Sequence, residues 1–72
     1  MTVKLKKRSF SLSRHRTSVA LEPEFWAVLE REAVREHLSL SAFVASIDAS
    51  RGERPLAGAL RLRALLAAKD NS

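Results

Sequence analysis

The chain has 72 residues and a mass of 8.0 kDa, which is room for one small domain. It contains no cysteine, which excludes disulfides and thiolate zinc sites, and His15 and His37 lie too far apart to build a metal site, so no metal or other cofactor is expected. The net charge of +5 is unevenly spread, with +6 over residues 1–20, −4 over residues 21–50 and +3 over residues 51–72.

A domain of this size buries only about 60% of its unfolded surface, so association with a second chain is the expected stabiliser. The apolar fraction of 46% is that of a folded protein. A basic N-terminal region on an acidic body points to a polyanionic partner. No apolar run approaches the roughly 18 residues of a membrane span, and Ser9–Ser13 stands where a secretory signal would be apolar. The expectation is a soluble protein of the cytoplasm, not one associated with a membrane.

Residues 1–13 form a basic, serine-rich stretch, a short strand or an arm, in which Phe10 and Leu12 alternate with Ser9, Ser11 and Ser13. Residues 14–21 are the strand candidate, with Thr17, Val19 and Leu21 on one face and Arg16, Ser18 and Ala20 on the other. The apolar phase shifts from even positions (Phe10, Leu12) to odd ones (Val19, Leu21), which places a break near Ser13–His15.

Pro23 at a first helical position, preceded by Glu22 and followed by Glu24, opens a helix expected over Pro23–His37. Its buried stripe is Phe25, Trp26, Leu29 and Ala33, with Glu32 and Glu36 close beside it. Trp26 is assigned to this core rather than to base stacking. Ser39 is the N-cap of a second helix whose Leu40, Phe43, Val44 and Ile47 fall at i, i+3, i+4 and i+7. That helix ends at about residues 49–51 and closes a core unit spanning residues 14–51. Residues 52–72 are a linker and a third helix over Leu56–Lys69, with Leu56 and Leu60 on one side and Leu62, Leu65 and Leu66 on another.

A single strand leaves two edges of unpaired backbone groups. One remedy is a hairpin in which residues 9–13 fold back on 16–21, but Arg14-His15 lacks the Asn-Gly or Asp-Gly chemistry of tight hairpins. The preferred remedy is an antiparallel ribbon formed with the same strand of a second chain across a twofold axis. The fold class is then mainly α, with one N-terminal strand. The dimer core comprises Val19, Leu21, Phe25, Leu29, Phe43, Val44 and Ile47. Such a ribbon turns Arg16, Ser18 and Ala20 outward, and a two-stranded ribbon fits the major groove of B-DNA, where arginine can bridge guanine O6 and N7. Lys4, Lys6, Lys7, Arg8 and Arg14 are candidates for phosphate contacts.

The order of strand, helix and helix resembles the ribbon-helix-helix family of bacterial and phage DNA-binding proteins. The run from His15 to Trp26 is especially similar to a bacterial subgroup with an Arg-Thr-Ser strand and a Glu-Pro-Glu-Phe-Trp helix start. The resemblance covers about Arg14 to Ser50 and extends to the third helix. It implies base reading by Arg16, Ser18 and Ala20, with Arg14 at the ribbon's end. It also implies phosphate binding at the start of the second helix by Ser39, Leu40 and Ser41, where free amides favour an anion. Where the family often has a left-handed glycine after the first helix, this chain has His37. Ala20 cannot hydrogen-bond a base, so direct readout would rest on Arg16 and Ser18.

These features predict a homodimeric, sequence-specific DNA-binding protein that regulates transcription as a repressor. The alternative is an antitoxin-like interaction module whose Leu56–Lys69 helix binds a partner protein. Catalysis is not expected: Asp48 and the serines show no nucleophile elbow or triad context, and Gly52 and Gly58 build no phosphate loop.

Overall fold

The computed structural model describes residues 4–12 and 15–70. Two strands, β1 (Lys6–Leu12) and β2 (His15–Leu21), precede three helices, α1 (Pro23–Arg35), α2 (Leu40–Ser50) and α3 (Leu56–Asp70). The strands pair antiparallel in a two-stranded sheet, with Lys6 opposite Leu21, Ser9 opposite Ser18 and Leu12 opposite His15.

This pairing corrects the expectation of one strand per chain. The second strand of the ribbon comes from residues assigned to the arm, and β2 pairs with it inside the same molecule. The apolar phase shift reflects this geometry. With Leu12 opposite His15, every even residue of β1 stands across from an odd residue of β2. Phe10, Leu12, Val19 and Leu21 therefore share one face, and all four are buried. Burying that shared face outweighs the missing Asn-Gly or Asp-Gly turn signal.

Glu22 caps α1 in an extended conformation, and Pro23 occupies the first turn, where its missing N–H costs nothing. Trp26, Leu29 and Ala33 are buried as a helical stripe, and Phe25 is half-buried beside them. The Trp26 indole Nε1 donates to the Lys6 carbonyl at 2.8 Å and so ties α1 to the start of β1. Trp26 is thus a core residue.

The helix ends two residues short of the expected His37. The Leu38 amide donates to the Ala33 carbonyl at 2.9 Å, and the His37 amide donates to the Val34 carbonyl at 3.0 Å. This Schellman closure requires a left-handed residue, and His37 supplies it with a φ of 59°. The other left-handed residue described, at the exit from α2, is Gly52. Ser39 then caps α2, its Oγ accepting the Ala42 amide at 3.1 Å. Phe43 and Val44 are buried and Leu40 and Ile47 are half-buried, as the spacing predicts.

The third helix is part of the same core. Ala59, Leu60, Ala64 and Ala67 are buried, while Leu62, Leu65 and Leu66 are exposed. β1 lies against α2, β2 lies against α3, and the three helices contact one another. The residues expected to meet across a dimer axis accordingly pack within one chain: Val19, Leu21, Leu29, Phe43 and Val44 are buried, and Phe25 and Ile47 are half-buried.

Ion pairs fasten α3 from the side. Arg61 Nη2 lies 2.9 Å from Glu22 Oε1 at the start of α1. Arg63 reaches both Glu32 at 3.1 Å and Glu36 at 3.0 Å. Glu32 is buried, and its carboxylate is paired there with both Arg35 and Arg63.

Two stability predictions follow from this packing. Leu60→Ala should destabilise the domain by about 2–5 kcal/mol, whereas Leu62→Ala on the exposed side should change stability by less than about 0.5 kcal/mol, both read by chemical denaturation. His37→Gly should raise stability by about 1 kcal/mol, because glycine adopts the left-handed conformation without the Cβ penalty. A loss of stability in His37→Gly would show that the imidazole makes a compensating contact.

Candidate nucleic-acid interface

The hairpin has two chemically distinct faces. One meets the helices through Phe10, Leu12, Val19 and Leu21. The other carries Lys7, Ser9 and Ser11 from β1 beside Ala20, Ser18 and Arg16 from β2, paired in that order. All six are exposed except Ala20, which is half-buried. This division follows from strand geometry, because successive side chains alternate faces and the register aligns the apolar sets. The three positions expected to read bases therefore lie together, on one outward surface. Ser9 Oγ and Ser18 Oγ are 2.9 Å apart and form a cross-strand hydroxyl pair at its centre.

The candidate phosphate contacts are dispersed. Lys4 is exposed just before β1, and Lys6 is exposed at the start of that strand. Lys7 shares the outward face with Arg16. Arg8 does not: it falls on the helix side, its Nη2 2.6 Å from Glu30 and its guanidinium 5.3 Å from the Trp26 ring centroid. Strand alternation places Arg8 there, so membership of a basic cluster did not predict its direction. Arg14 lies outside the described residues. At the start of α2, the Ser39 hydroxyl occupies the Ala42 amide. The amides of Leu40 and Ser41 belong to the first turn, where a helix has no internal acceptors for them.

Charge in the body is largely neutralised within the chain. Arg8, Arg35, Arg51, Arg61 and Arg63 all form ion pairs, the Arg51–Asp48 pair at 2.7 Å. The Glu22 carboxyl is held below its ordinary range, first by its own backbone amide and then by Arg61. Among the described residues, no ion pair involves Lys4, Lys6, Lys7 or Arg16, nor Arg31 or Arg54 on the body. Lys6, Lys7 and Arg16 of the ribbon, unlike Arg8, are thus available to an external anion. Sequence inspection missed the contribution of Ser9 and Ser11 to this surface, although their alternation with Phe10 and Leu12 was the signal.

Among the described residues, no group of three or more acidic, histidine or cysteine side chains is placed to hold a metal ion. Among the same residues, no helix is long and apolar enough to cross a membrane. No curated protein and no solved structure matches the chain significantly. A family model, the ribbon-helix-helix domain, matches residues 5–68, which takes in both strands and nearly all of α3. Proteins of that family are generally DNA-binding transcription regulators and typically bind DNA as dimers. With a polar two-stranded ribbon mounted on helices and a family match over most of its length, the chain belongs to the ribbon-helix-helix family.

Proposed function

We propose that the chain is a homodimeric, sequence-specific DNA-binding protein that represses transcription by inserting its ribbon into the major groove. The observation that carries this reading is the outward ribbon face, where Arg16 and Ser18 stand exposed and Arg16 has no internal ion pair among the described residues. A two-stranded ribbon matches the roughly 12 Å width of the groove. Arg16 bridges guanine O6 and N7, Ser18 donates to or accepts from a neighbouring base, and Ala20 allows close approach or touches a thymine methyl group.

Lys4, Lys6 and Arg14 contact phosphates and set affinity, while the Leu40 and Ser41 amides at the start of α2 hold a further phosphate beside Ser39. Two copies bind, as is typical of the family, each presenting one ribbon to a half-site. No catalytic step is assigned to the chain.

Arg16→Ala should lose about 1–3 kcal/mol of binding to the preferred site and relax its sequence preference. Lys6→Ala should weaken all sequences alike and make the dependence on salt shallower. Titrations with selected and random DNA at two salt concentrations separate the two effects. Equal losses on both DNAs for Arg16→Ala would remove the base-reading role.

A second reading gives the chain a protein partner through Leu56–Lys69. The favouring observation is one outward apolar face, where Leu62, Leu65 and Leu66 are 40%, 57% and 51% exposed. Because α3 is also core, deleting it would not isolate the partner role. The informative variant is Leu65→Lys with Leu66→Lys, weighed by sedimentation equilibrium. An unchanged dimer mass leaves that face for a different protein, and dissociation to monomers assigns it to the second copy.

A further inference from the structure

The two strands of this ribbon are different sequences. In a ribbon formed by one strand and its symmetry mate, the outward face repeats itself about the twofold axis. Here β1 supplies Lys7, Ser9 and Ser11, and β2 supplies Arg16, Ser18 and Ala20. Lys7 stands opposite Ala20 at the open end, and Arg16 stands opposite Ser11 beside the connection. The two cations therefore occupy diagonal corners, with the Ser9–Ser18 hydroxyl pair between them.

The spacing suits base pairs. Lys7 and Ser11 are separated by four strand residues, about 13 Å at the usual rise. That equals about four base-pair steps of B-DNA at roughly 3.4 Å each. The strands themselves lie only about 4.8 Å apart, so both rows of side chains face the floor of the same groove. Lysine, like arginine, pairs with guanine O6 and N7. The serine pair has one hydrogen engaged between its oxygens and the other free, so it presents one hydroxyl donor together with acceptor lone pairs.

From this arrangement we infer that Lys7, Ser9 and Ser11 are specificity-determining residues, and that a single chain reads a non-palindromic element with a guanine contact at each end. Resting on the DNA-reading role proposed for the ribbon, the inference moves Lys7 from the phosphate contacts to the base contacts. It also makes β1 a reading strand equal to β2. The exposed Ser9 hydroxyl acts partly through Ser18, because one of the two donates its hydrogen bond to the other, whereas Lys7 and Ser11 meet the bases independently. In a dimer, each half-site is itself asymmetric, whatever the symmetry of the whole site.

Selection of bound sequences from a random DNA pool tests the inference, using the unaltered chain, Lys7→Ala, Lys7→Gln, Ser9→Ala and Arg16→Ala at one stated salt concentration. Both Lys7 variants should erase preference at one base position and lower affinity for the selected site about tenfold, leaving random DNA nearly unaffected. The erased position should lie about four base pairs from the position erased by Arg16→Ala. Ser9→Ala should blur preference between those two positions.

Uniform weakening of all sequences by the Lys7 variants, with Arg16→Ala still erasing its own position, would overturn the inference and leave the proposed ribbon function intact. Retention of every preference by the Lys7 and Arg16 variants alike would overturn both. Lys7→Gln keeps most of the side-chain stem on the exposed strand face, so agreement of the two Lys7 variants separates lost charge from altered packing.

Discussion

The placement of Leu12 opposite His15 determines which face every later residue of the ribbon presents. A strand repeats every two residues, so a slip of one would turn Phe10 and Leu12 outward and bring Ser9 and Ser11 against the helices. The observed register instead buries Phe10, Leu12, Val19 and Leu21 together. Backbone pairing and apolar burial thus favour the same arrangement, and the polar outward surface is its necessary complement. The outward surface is therefore a consequence of core formation: the hydrophobic face selects the register, and the register selects the residues presented to solvent.

The helices hold that ribbon by two kinds of contact. Apolar packing comes from Trp26, Leu29, Phe43, Val44 and Leu60, all buried in the same cluster as the hairpin side chains. One ion pair joins ribbon and helices directly, from Arg8 to Glu30, while Arg61 and Arg63 tie α3 to Glu22 and to the Glu32–Glu36 pair at the two ends of α1. These pairs also partition charge. They satisfy carboxylates of the body with arginines of the same chain, while Lys7 and Arg16 on the outward face form no ion pair among the described residues. The positive field of the molecule is consequently weighted towards the ribbon, which favours encounter with a polyanion.

Much of this architecture was legible in local chemistry. Pro23 and Ser39 mark helix starts because a missing N–H and a capping hydroxyl are useful only there. The family resemblance, not local chemistry, placed His37 at a left-handed position, and the structure gives it a φ of 59°. The stripe Leu40, Phe43, Val44 and Ile47 needed only the helical period to be recognised. The hairpin was harder to see. Arg14-His15 has no favoured turn pair, and local turn chemistry carried more weight than the parity change that a two-residue connection produces. Arg8 was misplaced for a related reason, since net charge has no direction and strand alternation does.

Sequence alone determined the three helices with their starts, the strand at β2 and the alternation of Arg16, Ser18 and Ala20 on one face, because caps, periods and backbone preferences act over a few residues. It also established that a basic N-terminal region precedes an acidic body. Only the tertiary structure decided that β1 completes the ribbon within one chain, that α3 is core as well as surface, and which cations are neutralised internally. Those outcomes depend on contacts between residues as far apart as Glu22 and Arg61. Their energies come from burial and pairing across the fold, which no short window of sequence contains.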